Sequence, residues 1–350
     1  MRAITVVPGV AASARLDEVP EPDPAQGSLL VKALALGVCG TDREIVAGMR
    51  GAPPPDRQRL ILGHESLGIV EEAPEDGEFE RGDHVVAIVR LPDPVPCPAC
   101  AAGEWDMCRN GQYVEHGIKE RDGFGSERFR TDPRFTVKVD DGLGPLAVLL
   151  EPTSIVAKAW DQIERIGRRS PSWRPHSVLV TGAGPIGLLA ALIGKQRGLE
   201  VHLFDRSPGG PKPKLTRGLG ATYHIGDIAA VVAGLEPDII VECTGAATIV
   251  AEVVGRAAAA GIVCLAGLSG NKTLSVDIGR INHTMVLGNQ VAFGAVNANR
   301  RHYEAAAATL ARADHSWLAG LISRRVPLDR WMEALDDRPD DIKVVIDFTL

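Results

Sequence analysis

Several side chains in the first half of the chain could together bind a divalent metal ion and move a proton. His64 and Glu65 stand side by side in an apolar segment, where burying them without partners would be costly. Cys39 follows another apolar segment, Thr41 lies two residues after it, and Glu151 heads an apolar helix-like run. A thiolate, an imidazole and carboxylates are ligands of catalytic zinc, which acts as a Lewis acid. Each also has a structural interpretation, with Cys39 as a buried thiol, the adjacent pair as hydrogen-bonded partners and Glu151 as an acid favoured at a helix N-terminus.

A glycine-rich segment in the second half has the spacing of a dinucleotide-binding turn. Three glycines lie between one apolar run and the next, in the order strand, turn, helix. Gly182 would make the turn, Gly184 would let the backbone approach a pyrophosphate, and Gly187 would let helix and strand pack closely. Pro185 and Ile186 would begin the helix whose N-terminus faces the phosphate charge.

The strand that follows this turn ends in an acid, which gives the motif its second part. Asp205 lies about 20 residues further on, where a carboxylate hydrogen-bonds the ribose of NAD and repels the 2′-phosphate of NADP. Arg206 argues the other way, because a guanidinium can bind that phosphate. The sequence therefore predicts NAD(P) as cofactor, with a leaning to NAD and dual use left open.

The elements that must position these residues form two domains of an α/β protein. Apolar strands alternate with helix-like runs between residues 171 and 297, which predicts a doubly wound parallel sheet of the Rossmann type. Short strands separated by Pro and Gly turns predict a second, β-rich domain over residues 1–170. The last segment, residues 298–350, could belong to either domain.

Composition excludes several other classes of protein. A hydrophobic content of 45% and a charged content of 24% are typical of a soluble globular chain. The net charge of -7 makes nucleic acid an unexpected partner, and no apolar run is long enough for a membrane span. The N-terminus lacks the pattern of a signal peptide, so we expect a cytoplasmic location, where six cysteines suggest metal binding before disulfides.

Taken together, these motifs resemble the zinc-dependent medium-chain dehydrogenase/reductase (alcohol dehydrogenase) superfamily, and the similarity covers nearly the whole chain. The resemblance implies that residues 1–170 form a GroES-like catalytic domain, that residues 298–350 complete it, and that residues 171–297 form the Rossmann domain. Four details are similar to the glucose (aldose) 1-dehydrogenase branch, and they lie at residues 39–46, 111–118, 122–127 and 295–297. The resemblance departs at Ile155, where glucose enzymes can carry an aspartate, so the preferred sugar stays open.

In that family, Cys39 and His64 would hold a catalytic zinc, with Glu65, Glu151 or both completing the ligand set. The implied reaction passes hydride from C1 of an aldose such as glucose to NAD(P) and gives the lactone. Thr41 would relay the departing proton. The residues implied in substrate binding are Thr41, Glu115, Glu151 and Asn297. The resemblance also implies a homodimer or homotetramer.

A second zinc site is implied in the lobe formed by residues 92–113. Cys97, Cys100 and Cys108 match three of the family's four structural-zinc cysteines, and the first would fall at Pro94, which cannot bind metal. Asp93 is one residue away and could supply an oxygen ligand. Two alternatives stay open: the lobe holds zinc through three thiolates and Asp93, or it has lost the metal and is held by packing.

Two other functions are compatible with the same residues. A polyol, aminocyclitol or secondary-alcohol dehydrogenase would use the same zinc chemistry on a different small molecule. A sensor or scaffold that binds NAD(P) without turnover belongs to another class. A sensor would not need a complete catalytic set, and the chain has all of its members: Cys39, Thr41, His64, Glu65 and Glu151.

Overall fold

The computed structural model describes residues 1–270 and 273–350, and the chain forms two compact units. One unit is Met1–Ser154 with Asn297–Leu350, and the other is Ile155–Val296. The division expected at residue 170 lies after a long helix, whereas the observed division falls near the start of that helix. The physical reason is Trp160, which is buried and donates its indole N–H to the carbonyl of Ala190, 3.2 Å away.

The strands of both units are, in chain order, β1 Arg2–Val6, β2 Arg15–Glu18, β3 Leu29–Val38, β4 Leu60–Ile61, β5 Glu65–Glu72, β6 His84–Ala87, β7 Arg90–Leu91, β8 Val114–His116, β9 Glu120–Arg121, β10 Arg128–Thr131, β11 Thr136–Lys138, β12 Ser177–Thr181, β13 Glu200–Phe204, β14 Thr222–His224, β15 Ile239–Glu242, β16 Ile262–Leu265, β17 Val291–Gly294, β18 Ile322–Pro327 and β19 Lys343–Asp347.

The α-helices are α1 Gly40–Val46, α2 Pro98–Ala101, α3 Leu150–Gly167, α4 Pro185–Gln196, α5 Pro211–Gly218, α6 Ile228–Leu235, α7 Ala247–Val253, α8 Ile278–Leu287, α9 Arg300–Ala311 and α10 His315–Leu321. Short 3₁₀ helices span Pro24–Gln26, Trp105–Met107, Pro133–Phe135, Asp141–Leu149 and Leu328–Leu335. No helix in the described part of the chain is long and apolar enough to cross a membrane.

The first unit is built around β3, the central strand of a sheet with the order β11-β6-β5-β3-β19-β18. Because β5 and β19 both run antiparallel to β3, the end of β3 meets the starts of these two neighbours. Gly37 lies opposite Glu65 on one side and opposite Val345 on the other. The residues that follow β3 and those that begin β5 and β19 therefore lie together where these three strands end or begin.

The second unit is a parallel sheet with the strand order β14-β13-β12-β15-β16-β17. This is the order of the Rossmann fold, in which ligands bind at the carboxyl ends of the strands. The central strand β12 is fully buried at Val178, Leu179 and Val180, as expected for a sheet covered on both faces. The doubly wound sheet predicted from the sequence is confirmed.

Apolar spacing predicts helices over residues 248–260 and 328–335, and the structure differs from both predictions. The alanine-rich run at residues 248–260 is helical only to Val253, because Val254 is extended and Gly255 has a left-handed φ of +76°. The amphipathic segment at residues 328–335 is a kinked 3₁₀ helix whose kink lies at Arg330. Apolar periodicity places such segments against a core but does not specify where the helical geometry ends.

Candidate active site

Cys39 follows β3 and His64 precedes β5 in the first unit, and their Sγ and Nε2 atoms are 3.1 Å apart. Cys39 is the N-cap of α1, where its Sγ accepts the backbone N–H of Thr41 at 3.3 Å. Asp42 completes a capping box by accepting the backbone N–H of Cys39 at 2.9 Å. These bonds satisfy free N–H groups of the first helical turn and fix the direction of the thiol.

Buried negative charge surrounds the imidazole. Asp42 Oδ1 lies 3.2 Å from His64 Nδ1, and neither atom makes a well-aligned hydrogen bond. Although burial disfavours a charged imidazole, Asp42 and Cys39 raise the pKa of His64 well above its ordinary value. A place where buried acids stabilise a positive charge is suited to a metal cation.

Glu65 contributes the third donor of this cluster. Cys39, His64 and Glu65 each offer one ligand atom, and these atoms all lie within 4.8 Å of one another. Sulphur, nitrogen and oxygen donors together with surplus buried negative charge fit a zinc ion, so the residues expected from the sequence are compatible with that metal. Gly37 is required here, because a Cβ at that position would collide with Glu65 Oε2.

A buried lysine also holds Glu65. Lys343, the first residue of β19, places its Nζ 2.6 Å from both carboxylate oxygens of Glu65 and 3.2 Å from the carbonyl of Val38. Both side chains of this ion pair are almost fully buried. Although burial disfavours the ammonium, Glu65 and Cys39 keep the pKa of Lys343 above its ordinary value. The lysine therefore fixes Glu65 behind the thiol and the imidazole.

Glu151 lies in the first turn of α3 and is buried, but it does not belong to the cluster of three close donors. Burial, with the nearby charge of Glu65, raises the pKa of Glu151 to about 8. Tyr303 is also buried in this region, and its hydroxyl accepts the backbone N–H of Val89 at 3.2 Å. The structure thus brings Glu151 into the same charged region without bringing it to the thiol.

The two expected sugar contacts meet directly. Asn297 donates from Nδ2 to Glu115 Oε1 at 2.6 Å, and Arg90 donates to the same oxygen from two nitrogens at 2.9 and 3.0 Å. None of these donors reaches Oε2 of Glu115. Gly117, two residues on, packs so closely on the carbonyl of Gly63 that a Cβ would not fit. The turn that follows β8, the strand of Glu115, is therefore in contact with the segment that carries His64.

Three thiols meet in the second cysteine cluster, and one buried carboxylate oxygen lies nearby. Cys97, Cys100 and Cys108 have their sulphur atoms within 4.8 Å of one another. Hydrogen bonds led by the backbone N–H of Arg109 lower the pKa of Cys97 to about 6, whereas burial raises that of Cys100 to about 11. Asp93 accepts the backbone N–H of Val95 at 2.8 Å through Oδ1, and its buried Oδ2 has no partner. This donor set is compatible with zinc.

The glycine-rich turn in the second unit has the form expected for a dinucleotide cradle. Gly182 has a φ of +90°, and a Cβ on Gly187 would collide with the carbonyl of Gly182. Gly184 is the N-cap of α4, Pro185 begins that helix with Ile186 next, and a Cβ at Gly184 would meet open space. An open, side-chain-free helix N-terminus is compatible with a pyrophosphate.

Asp205 follows β13, and its carboxylate is fully engaged within the second unit. It accepts backbone N–H groups from Ala183 at 2.8 Å and Ser207 at 2.9 Å. Lys212 adds an ion pair, with its Nζ at 3.2 and 3.3 Å from the two carboxylate oxygens. Although burial disfavours the charged acid, these backbone groups and Lys212 lower the pKa of Asp205. Arg206 is exposed beside it.

Sequence reasoning missed four residues that hold the expected ones in place, and each had a signal. Asp42 stands three residues after Cys39, the spacing of a capping box. Arg90 and Lys343 are charged residues inside short apolar strands, and Lys212 is a lysine in the helix that follows a ribose-binding acid.

Comparison with known families decides the class of protein. A family model for the alcohol dehydrogenase GroES-like domain matches residues 25–141, and one for the glucose dehydrogenase C-terminus matches residues 144–348. The chain belongs to the glucose dehydrogenase family. It is an oxidoreductase with a GroES-like unit and a Rossmann unit, as the resemblance implied.

Members of this glucose dehydrogenase family match over the full length of the chain. A glucose 1-dehydrogenase of Methanocella arvoryzae is 41% identical, with 99% of each chain covered. A glucose 1-dehydrogenase of Thermoproteus tenax is 39% identical over 99% of each chain. A solved structure of Haloferax mediterranei glucose dehydrogenase, in complex with NADP, zinc and gluconolactone, has a TM-score of 0.92 and 32% identity, with 100% of each chain covered.

Proposed function

We propose that this chain is a zinc-dependent glucose 1-dehydrogenase that oxidises an aldose at C1 with NAD(P). The observation that carries the proposal is that two pairs of side chains lie in the same unit. The Cys39 thiol and the His64 imidazole are 3.1 Å apart, and the Glu115 carboxylate accepts from the Asn297 amide at 2.6 Å. The first pair suits zinc and the second suits sugar hydroxyls. The Haloferax structure, a complex with NADP, zinc and gluconolactone, supports this assignment.

In the reaction, the anomeric hydroxyl loses its proton, the C1–H bond breaks, and the hydride with both its electrons passes to the nicotinamide. The products are the lactone, the reduced cofactor and one proton. Cys39, His64 and Glu65, with Glu151 as an alternative ligand, would hold the zinc, which supplies Lewis acidity. Thr41, whose backbone N–H donates to the Cys39 thiol at the start of α1, would pass the proton outward through its hydroxyl.

Specificity for a sugar would come from buried hydrogen-bonding groups. Glu115 keeps its Oε2 free of Arg90 and Asn297, so this oxygen is available to accept a substrate hydroxyl. An analogue that lacks the hydroxyl would leave the carboxylate unpaired, which is a strong basis for rejection. Glu151 is a further candidate for such a contact, since it is buried in the same unit.

We predict that the zinc-loaded protein oxidises aldoses and not polyols. The measurement is reduction of NAD and NADP, followed by absorbance, with glucose, galactose, xylose, sorbitol, myo-inositol and secondary alcohols, and identification of the lactone by mass. The matched control is 1-deoxyglucose, which lacks the anomeric hydroxyl and should be inert. Activity confined to polyols or alcohols would assign the second function instead, and cofactor binding without any turnover would favour a sensor.

We further propose that the cysteine lobe holds a second zinc ion with Asp93 as its oxygen ligand. Changing Asp93→Asn keeps the acceptor for the N–H of Val95 and replaces the second carboxylate oxygen by an amide NH₂, which cannot bind zinc. We expect zinc affinity at this lobe to fall by about 10- to 100-fold, the usual effect of weakening a metal shell, with little change in initial turnover. Zinc content after dialysis against a chelator tests this. One zinc per chain in the parent protein, or two in the variant after the same dialysis, would contradict the proposal.

Three broader expectations remain predictions. The leaning to NAD rests on Asp205, and dual use of NADP stays open. A homodimer or homotetramer is supported by β17, which forms an edge of the Rossmann sheet, and by exposed apolar side chains on α8 such as Val286 and Leu287. The cytoplasmic location rests on cysteine usage.

A further inference from the structure

The end of β13 carries a charge arrangement that differs from a simple NAD-selecting site. In the Rossmann pattern, an acid at this position selects NAD because its free carboxylate accepts a ribose hydroxyl and repels a 2′-phosphate. Here the carboxylate of Asp205 is held by Ala183, Ser207 and Lys212. The acid is present, but its oxygens are hydrogen-bonded and its charge is compensated by Lys212.

The acceptor capacity of Asp205 is used up by these contacts. A carboxylate offers about four lone-pair positions, two on each oxygen. Oδ1 accepts from Ser207 N and Lys212 Nζ, and Oδ2 accepts from Ala183 N and Lys212 Nζ. A ribose hydroxyl would therefore find an acceptor on Asp205 only after Lys212 moves away.

The position of Lys212 is not explained by helix stability. It is the second residue of α5, and the first turn of this helix contains no acid. A cation near a helix N-terminus is disfavoured by the helix dipole, so α5 alone would favour an acid there. Lys212 is nevertheless only 18% exposed and paired with a carboxylate that is 8% exposed. Its ion pair with Asp205 compensates for the unfavourable position.

The surroundings add positive charge. Arg206 follows Asp205 directly in the chain and is exposed. Tyr223 donates its hydroxyl to the carbonyl of Ser207 at 2.7 Å, which fixes the loop between Asp205 and α5. Lys212 and Arg206 therefore accompany one neutralised carboxylate, a balance that favours a dianionic phosphate group.

We propose that Lys212 is a specificity-determining residue for the cofactor, because it neutralises Asp205 and supplies a cation for the 2′-phosphate of NADP. The inference deepens the proposed function and rests on it, since it assigns the ribose end of NAD(P) to the end of β13. The chain accordingly binds NADP as well as NAD, and removal of Lys212 makes it selective for NAD.

The test compares Lys212→Met with Lys214→Met, a change of the same type at an exposed position of the same helix. Equilibrium titrations followed by tryptophan fluorescence give Kd values for NADP and NAD, and for 2′,5′-ADP and 5′-AMP as ribose-end probes. In the parent we expect the two cofactors to bind within about tenfold of each other. In Lys212→Met, we expect the Kd of NADP and of 2′,5′-ADP to rise about tenfold or more, as on loss of a charged hydrogen bond, while NAD and 5′-AMP bind as in the parent or more tightly.

Three results would overturn the proposal: equal weakening of both cofactors in Lys212→Met, no change in either, or the same effect in Lys214→Met. A parent protein that binds NAD about 100-fold more tightly than NADP would also refute it. If Lys212→Met does not fold, Asp205→Asn keeps the lysine and should retain NADP binding. These titrations need no turnover, so failure to oxidise sugars would count against the proposed function and leave the cofactor result interpretable.

Discussion

Changing Lys343→Met should strongly destabilise the fold, because it breaks a fully buried ion pair. The ammonium lies 2.6 Å from both oxygens of Glu65, and both side chains are at most 2% exposed. Methionine fills similar volume but leaves the carboxylate buried without its partner. Breaking a buried ion pair in this way costs about 3–5 kcal/mol. We expect a loss of that order in the free energy of unfolding, measured by urea denaturation of the metal-free protein.

A double variant separates the ion pair from other effects of the substitution. If the cost arises from an unpaired Glu65, then Lys343→Met combined with Glu65→Gln should recover part of the stability, because no buried charge remains. Lys138→Met is the matched control, since Lys138 is an exposed lysine paired with Asp83, the residue before β6, and it should change the stability little. Parent-like stability of Lys343→Met, or no recovery in the double variant, would show that this ion pair does not stabilise the fold.

The residues of the active site could be predicted from the sequence because their chemistry is local. Cys39 and His64 lie beside glycines at the ends of apolar segments, and the Rossmann glycines follow a fixed spacing. Such features depend on a few neighbouring residues, which one sequence displays directly. The family resemblance added roles to Glu115 and Asn297, whose side chains meet although 182 positions separate them.

The partners of these residues could not be predicted in the same way, because they depend on strand register. Lys343 reaches Glu65 only because β5 and β19 both pair with β3, across 278 positions of the chain. Arg90 reaches Glu115 through the pairing of β7 with β8. Periodicity predicts that such strands exist but does not fix their neighbours. The same limitation applies to Asp205, whose neutralisation by Lys212 was not visible in the sequence motif.

Changing Cys39→Ser should abolish hydride transfer while preserving the fold and cofactor binding. Serine is a good N-cap, so its hydroxyl can accept the N–H of Thr41 that Cys39 Sγ now accepts at 3.3 Å, and α1 should persist. What is lost is the thiolate, the only sulphur in the donor cluster with His64 and Glu65. A neutral hydroxyl is a poor zinc ligand, so we expect one zinc fewer per chain and a fall in kcat/KM of about 10³-fold or more, which corresponds to losing several kcal/mol of Lewis-acid stabilisation.

The second cysteine cluster supplies the control for this experiment. Cys108→Ser makes the same chemical change in the lobe, and it should also remove one zinc but leave initial turnover close to the parent. Each variant is compared by zinc content, kcat/KM with glucose and the Kd of NADP. Turnover at the parent rate in Cys39→Ser would rule out the proposed catalytic zinc site. Loss of NADP binding in that variant would mean that Cys39 acts on the Rossmann unit through the fold. Since the thiol lies in a different unit from the dinucleotide turn, we expect the two functions to separate, with chemistry lost and cofactor binding kept.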